Sequence, residues 1–370
     1  MRTNSFTSRK FTFFSFLSMF LLVFVHGYNL HQTYLQPFTI VQEPVTFTAF
    51  FEYLTANGLF RFRIPMLFCI SGYLFALGDS RSYKERIRKR SKTVLVPYFL
   101  WSAFGLLFTF VLQQFPVSAK AVADAAIDQF GDNRPYVQIG WKGMVDRWIF
   151  APPSFQLWFL RVLFFYNLLY PLILKAVVRI PAIWFSFATL LWLGTIGLFF
   201  IEGEGLLFFS VGIWLAKKEV NIELEFRWLK VKWMAPIFIS TSLLKTLLAF
   251  EVQESAAAVI TLMLLHKAVV FSGIITAWFG LNKLVQWCMS RQWFVSLTGF
   301  SFIIYALHVP LINYLHHFLK PYFVHWQYYR LLDYLLLPVL VTGLIVSTGY
   351  LWRRLMPGFY RLMTGGRGMV

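Results

Sequence analysis

Charged residues are scarce in this 370-residue chain. Asp, Glu, Lys and Arg together make up 14% of it, whereas about 25% is usual in soluble globular domains. A water-facing globule needs more polar surface than this composition supplies, and 58% of the residues are hydrophobic. The composition therefore excludes an ordinary soluble enzyme and a disordered chain, and it favours an all-α, polytopic transmembrane helical bundle.

Cysteine is scarcer still, since the chain contains only Cys69 and Cys288. Both fall in or beside apolar stretches, so a disulfide framework is excluded, and two thiols are too few for a structural metal site. The P-loop, G-x-S-x-G, H-E-x-x-H and C-x-x-C motifs are all absent. We therefore expect no metal and no tightly bound cofactor. Repeats and Pro/Ser-rich linkers are absent too, so residues 1–370 are expected to form a single integral membrane domain.

Long apolar runs, in contrast, are abundant. A helix needs about 20 apolar residues to cross a hydrocarbon core about 30 Å thick. We identify about ten candidate spans, of which the sixth is short for a full crossing. They cover residues 11–30, 58–77, 94–114, 155–178, 182–201, 205–216, 234–250, 257–281, 293–315 and 331–352.

The distribution of basic residues predicts the orientation. If the N-terminus is cytoplasmic and each span crosses once, 23 of the 34 Lys and Arg residues fall in cytoplasmic segments and 6 in outer loops. Cytoplasmic loops of membrane proteins typically carry an excess of Lys and Arg, so this distribution predicts that both termini are cytoplasmic. The largest outer loop is then 115–154, which we expect to be partly helical. The net charge of +18 faces anionic lipid headgroups, which makes membrane lipids an expected partner and nucleic acid an unexpected one.

Rare polar residues fall within four of the spans. The topology places His26, Arg61, Arg63, Arg161 and His308 in the outer half of the membrane. Charged groups at such depth are costly and are typical of functional sites. Four separate helices contribute them at a similar level, which predicts one polar cavity open towards the outside.

These residues also have simpler interpretations. Either histidine could bond to a lipid headgroup, and Arg61 and Arg63 could anchor the mouth of their helix at the interface. Lys245, near Glu251, is predicted to reach the outer surface by snorkelling. No partner for Lys267 or the neighbouring His266 can be identified from the sequence. A final group, expected in an outer loop without metal-binding spacing, comprises His316, His317 and His325.

Five segments match a family pattern in the right order. The first span ends in F-V-H at 24–26, and R-F-R-I-P-M-L-F-C-I-S-G-Y-L-F follows at 61–75. Basic residues then lead into V-P-Y-F-L-W over 86–101, followed by L-W-F-L-R at 157–161 and S-F-I-I-Y-A-L-H at 301–308. With these motifs the chain resembles the acyltransferase 3 family of integral membrane proteins. One departure is Ser15, which stands where the family usually has arginine.

The resemblance implies a multi-pass enzyme of the bacterial cytoplasmic (inner) membrane. Such an enzyme would transfer an acyl group, of acetyl or succinyl type, from cytoplasmic acyl-CoA to a hydroxyl of an extracytoplasmic glycan or lipid-linked saccharide. The basic run at 81–92 suits contact with donor phosphates.

The family's chemistry suggests a role for each polar residue. His26 would act as the general base. Arg61 or Arg63, with Arg161, would bind the donor and stabilise the oxyanion. Tyr305 and His308 would support the same cavity.

Two other functions use the same residue types. Intramembrane Arg and His also mark substrate pathways, so a non-covalent exporter or flippase of a polysaccharide or lipid intermediate is an alternative. No matching pair of Gly/Pro-broken helices divides the chain into two halves, as transporters often show. The second alternative is a non-enzymatic protein that acts as a scaffold for polysaccharide assembly.

Overall fold

The computed structural model describes residues 5–29, 36–78 and 82–369. Within them the structure is helical, and one isolated bridge between Gly197 and Glu202 is the only extended pairing. The all-α prediction is therefore confirmed for the described residues. The helices are α1 (Ser5–His26), α2 (Phe47–Tyr53), α3 (Arg63–Leu77), α4 (Tyr83–Arg90), α5 (Val96–Leu112), α6 (Pro116–Ala125), α7 (Tyr136–Ile149), α8 (Trp158–Leu168), α9 (Tyr170–Arg179), α10 (Pro181–Leu193), α11 (Gly203–Lys217), α12 (Val231–Glu251), α13 (Ala256–Gly280), α14 (Asn282–Met289), α15 (Gln292–Thr298), α16 (Ser301–Phe323), α17 (Tyr329–Leu355) and α18 (Pro357–Thr364). Two π-helical segments, Leu54–Leu59 and Ser91–Leu95, precede α3 and α5, and a 3₁₀ turn, Phe155–Leu157, precedes α8.

The chain divides into two compact units. Unit 1 contains residues 1–21, 30–88 and 162–298, and unit 2 contains 22–29, 89–161 and 299–370. The expectation of a single integral membrane domain stays a prediction.

Unit 1 is built around two helix pairs. Helix α3 packs on α11, and α12 packs on α13. The first pair is unusually close, because a Cβ on Gly72 would overlap the carbonyl of Phe209 and one on Gly212 would overlap that of Cys69. Gly205 meets the ring of Phe68 nearer the start of both helices, so α3 and α11 run in the same direction. Close packing through glycine is common between membrane helices.

Unit 2 is built around α5, α16 and α17. Helix α16 packs on α17 and α6, and α5 packs on α7 and α18. Helices α6 and α7 lie within the predicted loop 115–154, so the prediction that it is partly helical is confirmed. A buried ion pair joins α7 to the loop that follows α6, with Arg147 Nε 2.6 Å from Asp128 Oδ2.

Seven described helices or helix runs are long and apolar enough to cross a membrane, and an eighth span is possible if the bent pair α8–α9 counts as one. Two predicted spans correspond to shorter helices. The run at 182–201 contains only α10, which ends at Leu193 because Gly194 and a left-handed Thr195 (φ 51°) turn the chain. The run at 205–216 corresponds to the 15-residue α11. The count of about ten spans and the cytoplasmic termini stay predictions.

Candidate active site

His26 ends α1 and lies in unit 2. Its side chain is half-buried. The imidazole centroid lies 5.4 Å from that of His308 and 5.0 Å from the ring of Phe155. The two predicted site histidines are therefore neighbours, one of them partly accessible.

His308 is fully buried within α16. Its Nδ1 lies 3.0 Å from the carbonyl oxygen of Ile304, one helical turn earlier. The next residue, Val309, departs from helical geometry (φ −108°, ψ 134°) and is followed by Pro310. Contact with Ile304 on one side and the break on the other orient the His308 ring within the helix.

Gln156 connects the turn before α8 to this part of α16. Its buried amide Nε2 donates to the carbonyls of Tyr305, Ala306 and Val309 at 3.0–3.2 Å. The Tyr305 hydroxyl in turn donates to the backbone carbonyl of Gln156 at 2.7 Å. Because backbone carbonyls near a helix break lose their helical partners, Gln156 satisfies the groups that the break exposes. Sequence reasoning missed this residue.

Arg161 lies in α8, also in unit 2. Its Nη1 donates to the Phe150 carbonyl at 2.6 Å, and its guanidinium interacts with the side chains of Tyr98 and Tyr305. Tyr305 is also near His308, with ring centroids 6.5 Å apart. Unit 2 thus brings four of the six predicted site residues into one neighbourhood.

Arg61 and Arg63 lie in unit 1. Arg63 is the first residue of α3, is 4% exposed, and donates from Nη1 to the Phe60 carbonyl at 2.6 Å. Arg61 is half-buried. Both guanidinium groups act electrostatically on Glu204 of α11. The expectation that these arginines share one cavity with His26 and Arg161 stays a prediction.

Two acidic residues near Arg61 and Arg63 were missed by the sequence reasoning. Glu202 caps α11 by accepting from the backbone N–H groups of Glu204 and Gly205. Glu204 accepts from Trp192 Nε1 at 3.1 Å and interacts with Lys267. The signal available was the segment E-G-E at 202–204, an acidic pair between two apolar runs.

Two expectations about other polar residues are wrong. Lys245 does not snorkel to the surface, because it is fully buried and donates from Nζ to the Asn57 carbonyl at 2.8 Å. His316 and His317 lie within α16 and not in a loop. His316 Nδ1 is 2.6 Å from Asp333 Oδ2.

An apolar pocket of about 160 Å³ lies beside the helix break in unit 2. Its lining includes Ser154, Val309, Pro310 and Trp352, and apolar atoms dominate its surface. This pocket is therefore different in character from the polar cavity that the sequence predicts.

Comparison with known proteins identifies the family. The family model described as an acyltransferase domain, that of the acyltransferase 3 family, matches residues 12–353. The chain belongs to the acyltransferase 3 family. It is an acyltransferase, and its helices agree with a multi-pass membrane protein.

A curated relative supports the same assignment. The succinoglycan biosynthesis protein ExoH of Rhizobium meliloti (strain 1021) is 26% identical over 323 residues, which cover 84% of this chain and 80% of ExoH. No solved structure matches the chain.

Proposed function

We propose that this acyltransferase moves an acyl group, of acetyl or succinyl type, from cytoplasmic acyl-CoA to a hydroxyl of an extracytoplasmic glycan or lipid-linked saccharide. The proposed location is the bacterial cytoplasmic membrane. The observation that carries the proposal is the placement of half-buried His26 against buried His308 in a membrane acyltransferase. The name of ExoH, a succinoglycan biosynthesis protein, supports a polysaccharide acceptor.

His26 is the proposed general base. As the acceptor oxygen attacks the thioester carbonyl, its proton passes to the His26 imidazole and a C–O bond forms. The tetrahedral intermediate then collapses, the C–S bond breaks, and the CoA sulfur takes up that proton. General-base catalysis of this kind contributes about 10²–10⁴-fold.

His308 and Tyr305 are proposed to orient the base and the acceptor. Both side chains have fixed partners, because His308 contacts the carbonyl of Ile304 and the Tyr305 hydroxyl donates to the backbone carbonyl of Gln156. Such preorganisation matters because small displacements of a catalytic group cost rate.

The arginines are proposed to bind the negatively charged groups of the donor and of the reaction intermediate. Arg161, with Arg61 or Arg63, would bind a donor phosphate or the thioester oxygen and stabilise the tetrahedral oxyanion. Guanidinium groups suit this role because they stay charged and offer several donors in one plane.

The basic segment 81–92 is proposed to contact the donor's phosphates. Lys84, Arg88 and Lys89 are exposed on α4, whereas Arg86 packs against Phe75 and Tyr170. Arg81 lies outside the described residues. The exposed cations are therefore the ones available to a phosphate.

The decisive experiment is ester analysis of envelope glycans. Glycans from a strain lacking this protein and from the complemented strain are compared by mass spectrometry. The proposal expects an acetyl or succinyl ester that disappears on deletion and returns on complementation. An unchanged ester pattern, with unmodified glycan accumulating inside the cell, would instead support the exporter or flippase.

A further inference from the structure

The C-terminal tail of the chain is packed into unit 2. Gly365 lies against the backbone of Thr93, just before α5, and Gly368 lies against the backbone of Gly299, just before α16. Both tail glycines have a positive φ (61° and 69°), a conformation that glycine adopts without strain. The tail therefore fits closely between the starts of two helices, and this packing brings Arg367 to the same end of unit 2.

Two arginines hold the tail in place, and together they form what we call the tail site. Arg367 Nη1 donates to the Thr93 carbonyl at 2.6 Å. Arg353, near the end of α17, donates from Nη1 to the Gly368 carbonyl at 3.1 Å. Both side chains are half-buried, so the tail site is open to a ligand from the surface.

The charges of the tail site are not neutralised within the described residues. The hydrogen bonds of Arg353 and Arg367 go to backbone carbonyls there, and neither side chain pairs with Asp or Glu. Burial lowers the pKa of Arg367 to about 10, and the charge of Arg90 acts in the same direction. The guanidinium group is therefore still charged at neutral pH. Because a partly buried charge without a counter-charge is costly, the tail site predicts an anionic ligand.

The geometry of the tail site favours a phosphate group. The guanidinium carbon of Arg367 lies 4.5 Å from the ring centroid of Phe302, and that of Arg353 lies 4.7 Å from the ring centroid of Phe300. A guanidinium group held against a ring keeps its N–H donors in a fixed fork, which suits two-pronged contact with phosphate oxygens. Arg90 adds a third positive charge within electrostatic range, and several cations attract a multiply charged anion most strongly.

One face of α16 connects the tail site with the proposed base. The ring centroids of Phe302 and Tyr305 are 6.0 Å apart, and those of Tyr305 and His308 are 6.5 Å apart. These residues recur every three positions and so lie on one side of the helix, over about 9 Å of its axis. His26 lies beyond His308, at 5.4 Å. The tail site and His26 are therefore at the two ends of one face, within unit 2.

We propose that the tail site binds the phosphate groups of the donor thioester, so that the pantetheine arm extends beside this face of α16 towards His308 and His26. This inference rests on the proposed function, because it assigns a binding site to the donor of that reaction. Anionic lipid headgroups share the phosphate chemistry. The donor is favoured because it also has an arm and a thioester that would use the face leading to His26.

Binding of coenzyme A by the unmodified protein is the first test. The purified protein in phosphatidylcholine nanodiscs is titrated with coenzyme A and with pantetheine, which lacks the phosphates, and calorimetry gives both dissociation constants. We expect coenzyme A to bind at least about 100-fold more tightly, the effect of two hydrogen bonds between charged groups. Equal affinities would overturn the inference and leave the proposed function intact, whereas no binding of coenzyme A would contradict the proposed donor.

Substitution of Arg367 then locates the phosphate contact. Arg367→Gln is expected to weaken coenzyme A binding by about 10–100-fold and to leave pantetheine binding unchanged. Arg361→Gln is the matched control, since it removes the same charge from an exposed site on α18. Structural damage would weaken the binding of both ligands alike, and a general effect of net charge would make the two variants equal. Either result would overturn the inference.

A second variant keeps the test open if Arg367→Gln does not fold. Arg353→Gln should weaken coenzyme A binding by about tenfold, whereas Arg354→Gln, at the exposed neighbouring position, should not. Unchanged affinity in folded Arg353→Gln would overturn the inference.

Nanodiscs that also contain phosphatidylglycerol distinguish the donor from a lipid headgroup. Native mass spectrometry counts the phosphatidylglycerol molecules that stay bound to the unmodified protein and to Arg367→Gln. We expect equal numbers. Loss of bound phosphatidylglycerol in Arg367→Gln, with coenzyme A binding unchanged, would assign the tail site to lipid and overturn the inference.

Discussion

The imidazole of His26 lies 5.4 Å, centroid to centroid, from the imidazole of His308. One ring is partly accessible and the other fully buried. A group that must meet a substrate needs access, and a group that orients it needs fixed surroundings. The pair therefore divides into an outer reactive residue and an inner supporting one.

Replacing His26 should remove general-base catalysis. We expect His26→Ala to reduce ester formation by about 10²–10⁴-fold at matched protein levels. His325→Ala is the matched control, because His325 is an exposed histidine far along the chain in the turn after α16. Ester content of the envelope glycan, measured by mass spectrometry, is the readout. Full activity of His26→Ala would eliminate His26 as the base.

His308 should act through His26. We expect His308→Ala to reduce activity by about tenfold, less than His26→Ala, and the double variant to be no worse than His26→Ala alone. Residues that work as a unit are non-additive in this way. Fully additive losses in the same ester assay would show that His308 acts independently.

Gln156 should stabilise the broken part of α16. Gln156→Ala removes the donor for the Tyr305, Ala306 and Val309 carbonyls, and we expect a loss of about 1–3 kcal/mol in unfolding free energy. Thermal unfolding in detergent measures it. Gln114→Ala is the control, because this exposed glutamine follows α5 and its side chain bonds only to the nearby Phe110 carbonyl. Equal effects of the two substitutions would contradict the role given to Gln156.

The contact between α3 and α11 should tolerate no added methyl group. In Gly212→Ala the new Cβ would overlap the Cys69 carbonyl, so the helices must separate, and we expect the protein to accumulate poorly and unfold at lower temperature. Gly343→Ala is the matched control, because no atom lies within 4 Å of the added group in α17. Comparable accumulation of both variants in membranes would show that the close approach is unnecessary.

The buried ion pair should hold the 115–154 segment together. Arg147→Met leaves Asp128 buried without its cation, and breaking such a pair costs about 3–5 kcal/mol. Limited proteolysis of the segment should become faster.

Arg134→Met is the comparison for Arg147→Met. Arg134 is largely exposed, so its loss should change proteolysis little. Its hydrogen bond holds the pKa of Asp132 at about 2, so this pair contributes stability above the usual carboxyl pKa and loses it as pH falls towards 2. Equal proteolysis of the two variants would contradict the importance of burial.

Local sequence pattern was enough to predict the all-helical structure and the proximity of His26 to His308. His26 and His308 are polar residues inside apolar runs, and run direction alone gave them similar depths. Gln156 was not predicted, because its role depends on the helix break at Val309 and a hydropathy pattern does not show such a break.

Long-range contacts explain the errors. Lys245 seemed near a helix end because Glu251 follows it, but its partner Asn57 is 188 residues away in the chain. Glu202 and Glu204 lie between two of the predicted spans. In the structure Glu202 is the N-cap of α11, and Glu204 lies in the first turn of that helix. Partners of this kind depend on tertiary packing, which one sequence does not display.

The glycine contact between α3 and α11 also constrains motion. At this contact Gly72 packs against the backbone of Phe209, and Gly212 packs against the backbone of Cys69. The glycines contribute no side chain that would separate the two helices. We therefore expect the two helices to move together, which would keep Arg63 at the start of one and Glu204 near the start of the other at a fixed separation.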